Sequence, residues 1–161
     1  MELLRKVVLV AATMSTGLIA GLFYAYACSV MPGLNKATDR TLVDTMQRIN
    51  VAILNGWFAL CFAGALVMTA LTAILHLHQE GRALLPWLVA AVVLYAATLV
   101  ITFAVNIPLN NALDAAGKPG DIADLAAVRE AFEARWVRWN LARTLTSVAA
   151  FGSLVWAVIV S

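Results

Sequence analysis

The sequence has little charge for its length. Aspartate, glutamate, lysine and arginine together make up 12% of its 161 residues, whereas 63% of the residues are hydrophobic. Soluble domains are about a quarter charged, and a chain this short has too little interior to hide such an apolar surplus from water. The formal net charge is only +2, whereas nucleic-acid binding needs many cations that neutralise phosphates. The composition argues against a soluble enzyme domain and a nucleic-acid partner, and predicts that lipid solvates the chain.

Cysteine and histidine, which supply most transition-metal sites, are also scarce. Cys28 and Cys61 fall within apolar runs and form no CxxC pair, so their spacing indicates neither a redox motif nor a metal site. His76 and His78 are two residues apart, which splits their rings across a helix, and Glu80 shares their short polar connection. We interpret this connection as a solvated turn and predict no metal site.

What the sequence does contain is four long apolar segments, at 7–31, 51–75, 84–105 and 141–160. About 20 apolar residues are enough for a helix to cross the hydrocarbon core of a bilayer. The first segment is too long for the apolar part of a signal peptide, so we expect it to be retained as a span. The predicted fold class is all-α: a single domain, 1–161, that forms a bundle of four transmembrane helices.

Two polar connections have the apolar period of an amphipathic helix, at 39–50 and 121–140. Thr38 or Asp39 is a plausible N-cap for the first stretch, and Asp121 for the second. Neither stretch is separated by a helix breaker from the span after it. We therefore predict that helices two and four are long and extend beyond the membrane.

The two halves of the chain resemble each other. Spans one and three each end in a proline segment, 31–35 and 107–111, and proline is a natural helix stop. Each half then reaches an Arg-x-Asn triplet, 48–50 and 138–140, which opens the next span. This order predicts an internal repeat of two helical hairpins, with both prolines and both triplets on the same side of the membrane.

Polar residues within the four segments and directly beside their ends recur at helical spacing. Because a polar group that faces lipid is costly, such residues normally face the interior of a bundle. In spans three and four these residues are Tyr95, Thr98, Thr102 and Asn106, and Trp136, Asn140, Arg143 and Ser147. In spans one and two they are Thr13, Gly17, Tyr24 and Cys28, and Asn50, Trp57 and Cys61. Four facing stripes predict a polar pocket near one membrane face.

Arg143 is the residue of this set with a permanent charge. It either extends to the membrane surface or points into the pocket, where it needs an anionic or oxygen partner. None of the four apolar segments contains a carboxylate. Fixed cations and neutral amides without a carboxylate suit a ligand that is, or becomes, an oxyanion.

Four motifs together resemble the anthrone oxygenase-like family: Gly21–Ala25, Met46–Asn50, Asn106–Asn110, and Trp136–Asn140 followed by Arg143-Thr144. The resemblance implies a membrane protein with four spans. Fungal members of this family convert polyketide anthrones to anthraquinones with molecular oxygen, without flavin, haem or metal. The chain is therefore expected to be a cofactor-independent monooxygenase, an oxidoreductase whose partners are a lipophilic aromatic molecule and oxygen.

The resemblance also suggests roles for individual residues. Arg143, Asn106 and Asn140 are the expected catalytic residues, with Arg143 stabilising an oxyanion and the amides orienting oxygens. The expected substrate-binding residues are Tyr24, Asn50, Trp57, Asn110, Trp136 and Arg138. The base that would deprotonate an anthrone stays open between Tyr24, a loop carboxylate such as Asp39, and a water held by the amides.

Two other functions fit the same features. A non-catalytic binding or accessory protein for a quinone-like molecule would use the same pocket without a base. A purely structural membrane protein would have a closed bundle centre without a cavity. We expect the chain in a bacterial inner (plasma) membrane, with the pocket side facing the cytoplasm because that side carries more lysine and arginine.

Overall fold

The computed structural model describes residues 1–77 and 82–161, and within these ranges the chain is helical and contains no strand. We name the main helices α1 (Glu2–Asn35), α2 (Asp39–Ala52), α3 (Gly56–Leu75), α4 (Leu85–Ala115) and α5 (Leu125–Ile159). All except α2 are long and apolar enough to cross a membrane. The predicted all-α fold with four membrane-spanning helices is confirmed, and the protein is an integral membrane protein. The turn expected between α3 and α4, with Gly81, lies partly outside the described residues.

Helix α5 is continuous, as the missing breaker predicted. Its 35 residues extend for about 52 Å at the α-helical rise of 1.5 Å per residue, well beyond the roughly 30 Å of a hydrocarbon core. The cap is Asp124, whose side chain accepts a hydrogen bond from the Ala127 N–H at 2.9 Å, and not Asp121. The loop that contains Gly117, Pro119 and Gly120 ends later than the sequence pattern suggested, so the extension is shorter by about one turn.

The corresponding prediction for the first half is wrong, because α2 and α3 are separate helices. Thr38 caps α2 as predicted, but that helix ends at Ala52 and α3 begins only after Asn55. The Asn55 side chain explains the break. Its Nδ2 donates to the Ala52 carbonyl at 2.9 Å and its Oδ1 accepts from the Phe58 N–H at 3.0 Å, so one amide closes the first helix and opens the next.

The prediction that α1 and α4 stop at their prolines is also wrong. Both helices continue past Pro32 and Pro108, and each contains a π-helical turn, Tyr26–Val30 or Thr102–Asn106, that ends two residues before its proline. A proline lacks an N–H and collides with the carbonyl four residues earlier. The wider π turn accommodates that carbonyl, so the helix continues past the proline. The two proline segments thus share a local structure, while the repeat of whole hairpins stays a prediction.

The bundle buries two apolar clusters within the spans and a third at the end where the prolines lie. The third cluster joins α1, α2, α4 and α5 through Met31, Leu42, Val43, Met46, Leu113, Phe132 and Trp136. The polar stripe of α4 faces the interior as predicted. Its Tyr95 hydroxyl donates to the Phe62 carbonyl at 2.9 Å, and Thr98 shares a hydrogen bond of 2.8 Å with Thr146. Packing at the proline end fixes α2 against the bundle and frames the space beside it.

Candidate functional site

A cavity of about 280 Å³ lies beside this third cluster, between α1, α2, α3, α4 and α5. Its volume is close to the lower end of the roughly 300–1,000 Å³ typical of small-molecule pockets. The polar lining includes Gln47, Asn50, Thr102, Asn110, Asn111, Asp114 and Arg143. Aromatic rings supply much of the rest, from Phe23, Tyr26, Phe58, Phe62 and Trp136. Polar and aromatic groups therefore line one cavity at this end of the bundle.

Arg143 is the charged group in the depth of this cavity. Only 7% of its surface is exposed, and its guanidinium lies over the rings of Phe23 and Trp136, with its central carbon 4.1 and 5.1 Å from their centroids. Its Nε donates to Asn140 Oδ1 at 3.0 Å. No carboxylate within the described part of the chain forms a salt bridge with it. Since an unpaired charge is costly to bury, the terminal nitrogens suit an anionic group of a ligand.

The two catalytic asparagines of the sequence analysis lie behind the lining. Asn140 is 1% exposed, and its Nδ2 donates to the Phe23 carbonyl at 3.2 Å while its Oδ1 holds Arg143. Asn106 is fully buried, with its Nδ2 3.5 Å from the Trp136 carbonyl and no partner for its Oδ1 among the described residues. Each amide bonds the backbone of a lining residue, and Asn140 also holds the Arg143 side chain, so their geometry suits support better than contact with a ligand.

Trp136, Asn110 and Asn50 line the cavity. The Trp136 indole N–H donates to Asn110 Oδ1 at 2.8 Å, which fixes the indole plane at the pocket wall. Asn50 lines the cavity from α2, and its Nδ2 is buried without a hydrogen-bond partner within the described residues. A buried donor without a partner costs about 1–3 kcal/mol. The amide of Asn50 is therefore available to an acceptor on a ligand.

Three predicted substrate-binding residues do not line the cavity, and placing them there is wrong. Tyr24 is 59% exposed and Trp57 is 82% exposed, and the Arg138 side chain is exposed as well. The buried face of α1 runs through Thr16 and Phe23, so Tyr24 points outward by one helical step.

The other two errors have their own geometric causes. The break before α3 removes Trp57 from the helical phase that Asn50 would have set in one continuous helix. Arg138 lies two residues from Trp136 on α5, which places it on nearly the opposite side of that helix.

Four further polar or aromatic residues line the cavity and were not predicted from the sequence: Tyr26, Gln47, Asn111 and Asp114. Asp114 had a usable signal, because Thr102, Asn106, Asn110 and Asp114 recur at intervals of four residues. Treating Pro108 as a stop ended that stripe before its carboxylate. Gln47 donates from Nε2 to the carbonyls of Leu113 and Gly117, both at 2.9 Å, and so ties α2 to the end of α4.

The histidine motif is placed only in part. The His76 Nδ1 lies 2.7 Å from the Thr72 carbonyl, whereas His78 and Glu80 lie outside the described residues. Within the described ranges, no group of three or more histidine, cysteine, aspartate or glutamate side chains is arranged to hold a metal ion.

A family model described as anthrone oxygenase matches residues 57–153, which is more than half of the chain. The matched range contains α3, α4 and most of α5, and therefore Asn110, Asp114, Trp136 and Arg143. The pocket residues of α1 and α2 precede it. No curated protein and no solved structure matches the chain.

Proposed function

The chain belongs to the anthrone oxygenase family, and from that premise we propose that it oxidises an anthrone-like, lipophilic aromatic molecule with molecular oxygen in the pocket around Arg143. The observation that carries the proposal is the buried Arg143 guanidinium, which faces a cavity from between two aromatic rings and has no carboxylate partner within the described residues. That arrangement suits a flat aromatic substrate that becomes an anion.

The chemistry requires little beyond this arrangement. An anthrone is a weak carbon acid whose conjugate base is a delocalised phenolate, and that electron-rich anion reacts with oxygen directly. The carbanion carbon bonds to one atom of O₂, and protonation gives a hydroperoxide. Loss of the remaining hydrogen on that carbon as a proton, with cleavage of the O–O bond, leaves a carbonyl and releases hydroxide, which is protonated to water. The sum is anthrone plus O₂ to anthraquinone plus water.

The residues of the pocket have separate roles in this reaction. Arg143 stabilises the phenolate oxygen by charge-assisted hydrogen bonds. The rings of Trp136 and Phe23, which already flank the guanidinium, pack against the fused rings of the substrate. Asn50 and Asn110 supply amide groups at the wall, where they orient the substrate's oxygens.

The substrate reaches the pocket from the lipid phase in this proposal. Val51 and Leu54 both line the cavity and are 66% and 81% exposed, and they lie at or beside the break between α2 and α3. An apolar, open edge at this position favours a lipophilic molecule over a hydrated one. We place the activity in the inner (plasma) membrane of a bacterium, since spanning proteins of the bacterial outer membrane are β-barrels rather than helical bundles.

The test is oxidation of an anthrone by the purified protein in detergent or nanodiscs. The reaction is monitored through oxygen uptake and through the absorbance of the anthraquinone. With ¹⁸O₂, one labelled atom should appear in the quinone and the other in water. Arg143→Gln should lower the turnover number about 10²- to 10³-fold, the usual cost of removing an oxyanion-stabilising donor. Arg138→Gln is the matched control, because this exposed arginine lies on the same helix outside the pocket.

Two results would count against the proposal. Full activity in Arg143→Gln and Asn106→Ala would show that the reaction occurs elsewhere. Saturable binding of anthrone or anthraquinone, without any oxidation above the rate in protein-free micelles, would identify a binding or accessory protein instead. A purely structural role already fits less well, because that role predicts a closed bundle centre and the bundle contains a cavity.

A further inference from the structure

The proposed oxidation needs a group that accepts a proton from the substrate carbon. Of the candidates named from the sequence, Tyr24 faces away from the cavity, and Asp39 accepts a hydrogen bond from Arg129 at 2.9 Å outside it. Resting on the proposed function, we infer that Asp114 is the catalytic base. It is a carboxylate that lines the same cavity as Arg143.

The position of Asp114 is a consequence of the continuation of α4 past its proline. Asp114 lies in the last turn of α4, one turn beyond Asn110, or about 6 Å along the helix axis. Asn110 in turn accepts the Trp136 indole N–H, and the Trp136 ring faces Arg143. These contacts lead from the cation along the indole to Asn110, one helical turn before Asp114.

This order matches the chemistry of an anthrone. The oxygen that gains negative charge and the carbon that loses the proton lie on opposite sides of the central ring. A substrate packed on Trp136, with its oxygen at Arg143, directs the acidic carbon away from the cation. Asp114 lines the same cavity from the last turn of α4, and we assign its carboxylate the position beside that carbon.

The end of α4 is held firmly enough to position a side chain. Gln47 donates to the carbonyls on either side of Asp114, those of Leu113 and Gly117. The Gly117 N–H donates to the Asp114 carbonyl at 3.1 Å, and Gly117 has φ of +94°, a conformation that favours glycine and ends the helix. These bonds fix the backbone of Asp114 and leave its carboxylate uncommitted.

The carboxylate has no evident structural task. Within the described part of the chain it forms no salt bridge and accepts no hydrogen bond, whereas Asp39, Asp44 and Glu133 all pair with arginines and Asp124 caps α5. The carbonyl end of a helix also carries partial negative charge, so the helix does not stabilise an acidic side chain there. Asp114 is thus placed where its charge brings no packing or pairing benefit to the fold.

The proton balance is complete with this residue. The substrate C–H bond breaks, its electron pair delocalises onto the oxygen at Arg143, and the proton binds a carboxylate oxygen of Asp114. Asp114 returns that proton to the peroxide anion. It then takes the second proton from the same carbon and delivers it to the departing hydroxide, which leaves as water. The carboxylate ends as it began.

The test compares Asp114→Ala with Asp121→Ala in the oxygen-uptake assay with anthrone. Asp121 is an exposed loop aspartate outside the cavity lining, and its variant serves as the control. Asp114→Ala should lose about 10²- to 10⁴-fold in turnover number, the usual contribution of a general base. Anthraquinone affinity should stay within about threefold of wild type, since an exposed carboxylate without partners changes little else. Added formate should restore part of the lost activity, because it can occupy the vacated space.

A second readout separates a base from a positioning residue. With anthrone deuterated at its methylene carbon, the isotope effect on turnover should be larger in Asp114→Asn than in wild type, because proton removal becomes more fully rate-limiting. Unchanged turnover in both Asp114 variants, or a loss that formate does not restore while the isotope effect stays at the wild-type value, would overturn the assignment. An inactive wild-type protein would refute the oxygenase proposal and the base together, whereas active wild type with active Asp114→Ala refutes the base alone.

Discussion

Each half of the chain contains a proline and, further along, an Arg-x-Asn triplet. The two passages, as we call these stretches, differ in whether the helix continues beyond the triplet. After Arg48-Ile49-Asn50 the helix ends at Ala52, and a new one begins after Asn55. After Arg138-Trp139-Asn140 the helix continues to Ile159. The position three residues after the asparagine is Ile53 in the first passage and Arg143 in the second. One passage thus supplies an opening in the bundle, and the other supplies a buried charge.

The arginines of the pocket region show the same division. Arg48 is exposed and donates to Asp44 at 2.9 Å, and this hydrogen bond lowers the pKa of the Asp44 carboxyl below its usual value. An exposed pair of this kind contributes little to stability. Arg143 is buried and has no carboxylate partner among the described residues. Arg138, the triplet residue that corresponds to Arg48, is exposed as well. The difference teaches that the two halves diverge just beyond the triplet, where the first half has Ile53 and the second half buries a cation.

The largest expected contrast is between the two prolines. Replacing Pro108 by alanine restores an N–H and permits a regular α-helical turn in place of the π turn. Each residue by which the helical register shifts would rotate the following side chains by about 100° around the helix axis. Asn110 and Asp114 lie beyond Pro108, so anthrone turnover should fall about 100-fold. The described lining residues of α1 all precede Pro32, so Pro32→Ala should change turnover less than about threefold. Equal losses in the two variants would show that the π turns do not set the pocket.

The two triplet asparagines give the next contrast. Asn140 bonds both the Phe23 carbonyl and Arg143, so Asn140→Ala should lower the free energy of unfolding by about 2–3 kcal/mol and lower activity as well. Asn50→Ala removes a buried amide that lacks a partner among the described residues, so stability should stay within about 0.5 kcal/mol. Unfolding in mixed detergent and dodecyl sulfate micelles measures both. A larger destabilisation from Asn50→Ala would reverse the comparison.

The smallest contrast concerns the caps. Asn55→Ala removes the acceptor of the Phe58 N–H and the donor to the Ala52 carbonyl, and should cost about 1–2 kcal/mol. Asp124→Ala removes one cap bond and should cost about 1 kcal/mol. Hydrogen exchange at residues 52–58 should rise only in the Asn55 variant. Unchanged exchange there would mean that tertiary packing, and not the amide, maintains the break.

Much of the fold was predictable because the bilayer imposes a strong local rule. A segment of about 20 apolar residues with few charges must be a helix in lipid, since every backbone group has to find its partner within the segment. The amphipathic period likewise predicted α2 and the start of α5, and Thr38, the cap of α2, was one of the two residues proposed for it. Helical spacing put Arg143 and Trp136 on one face of α5, and both line the cavity. Asn110 was assigned only through the family resemblance.

The course of α4 past Pro108 and the break between α2 and α3 are two features that the local sequence does not determine. Whether Pro108 ends a helix or lies within one depends on tertiary packing that stabilises a π turn. Because Pro108 was interpreted as a helix stop, Asp114 was not predicted to line the cavity. Asn55 is an ordinary residue in an apolar run until its amide bonds both flanking turns. The break changes the helical register of α3 relative to α2, and as a result Trp57 faces outward.

The sequence by itself determined that this chain is a four-span membrane protein of the anthrone oxygenase family, because apolar length and motif order are local properties. The tertiary structure alone decided which polar groups share a cavity. Arg143, Asn50 and Asp114 come from three helices, and their meeting depends on a helix break, a π turn and the bonds of Gln47 to the end of α4. Such bonds connect residues 66 and 70 positions apart, so no local pattern in the sequence could reveal them.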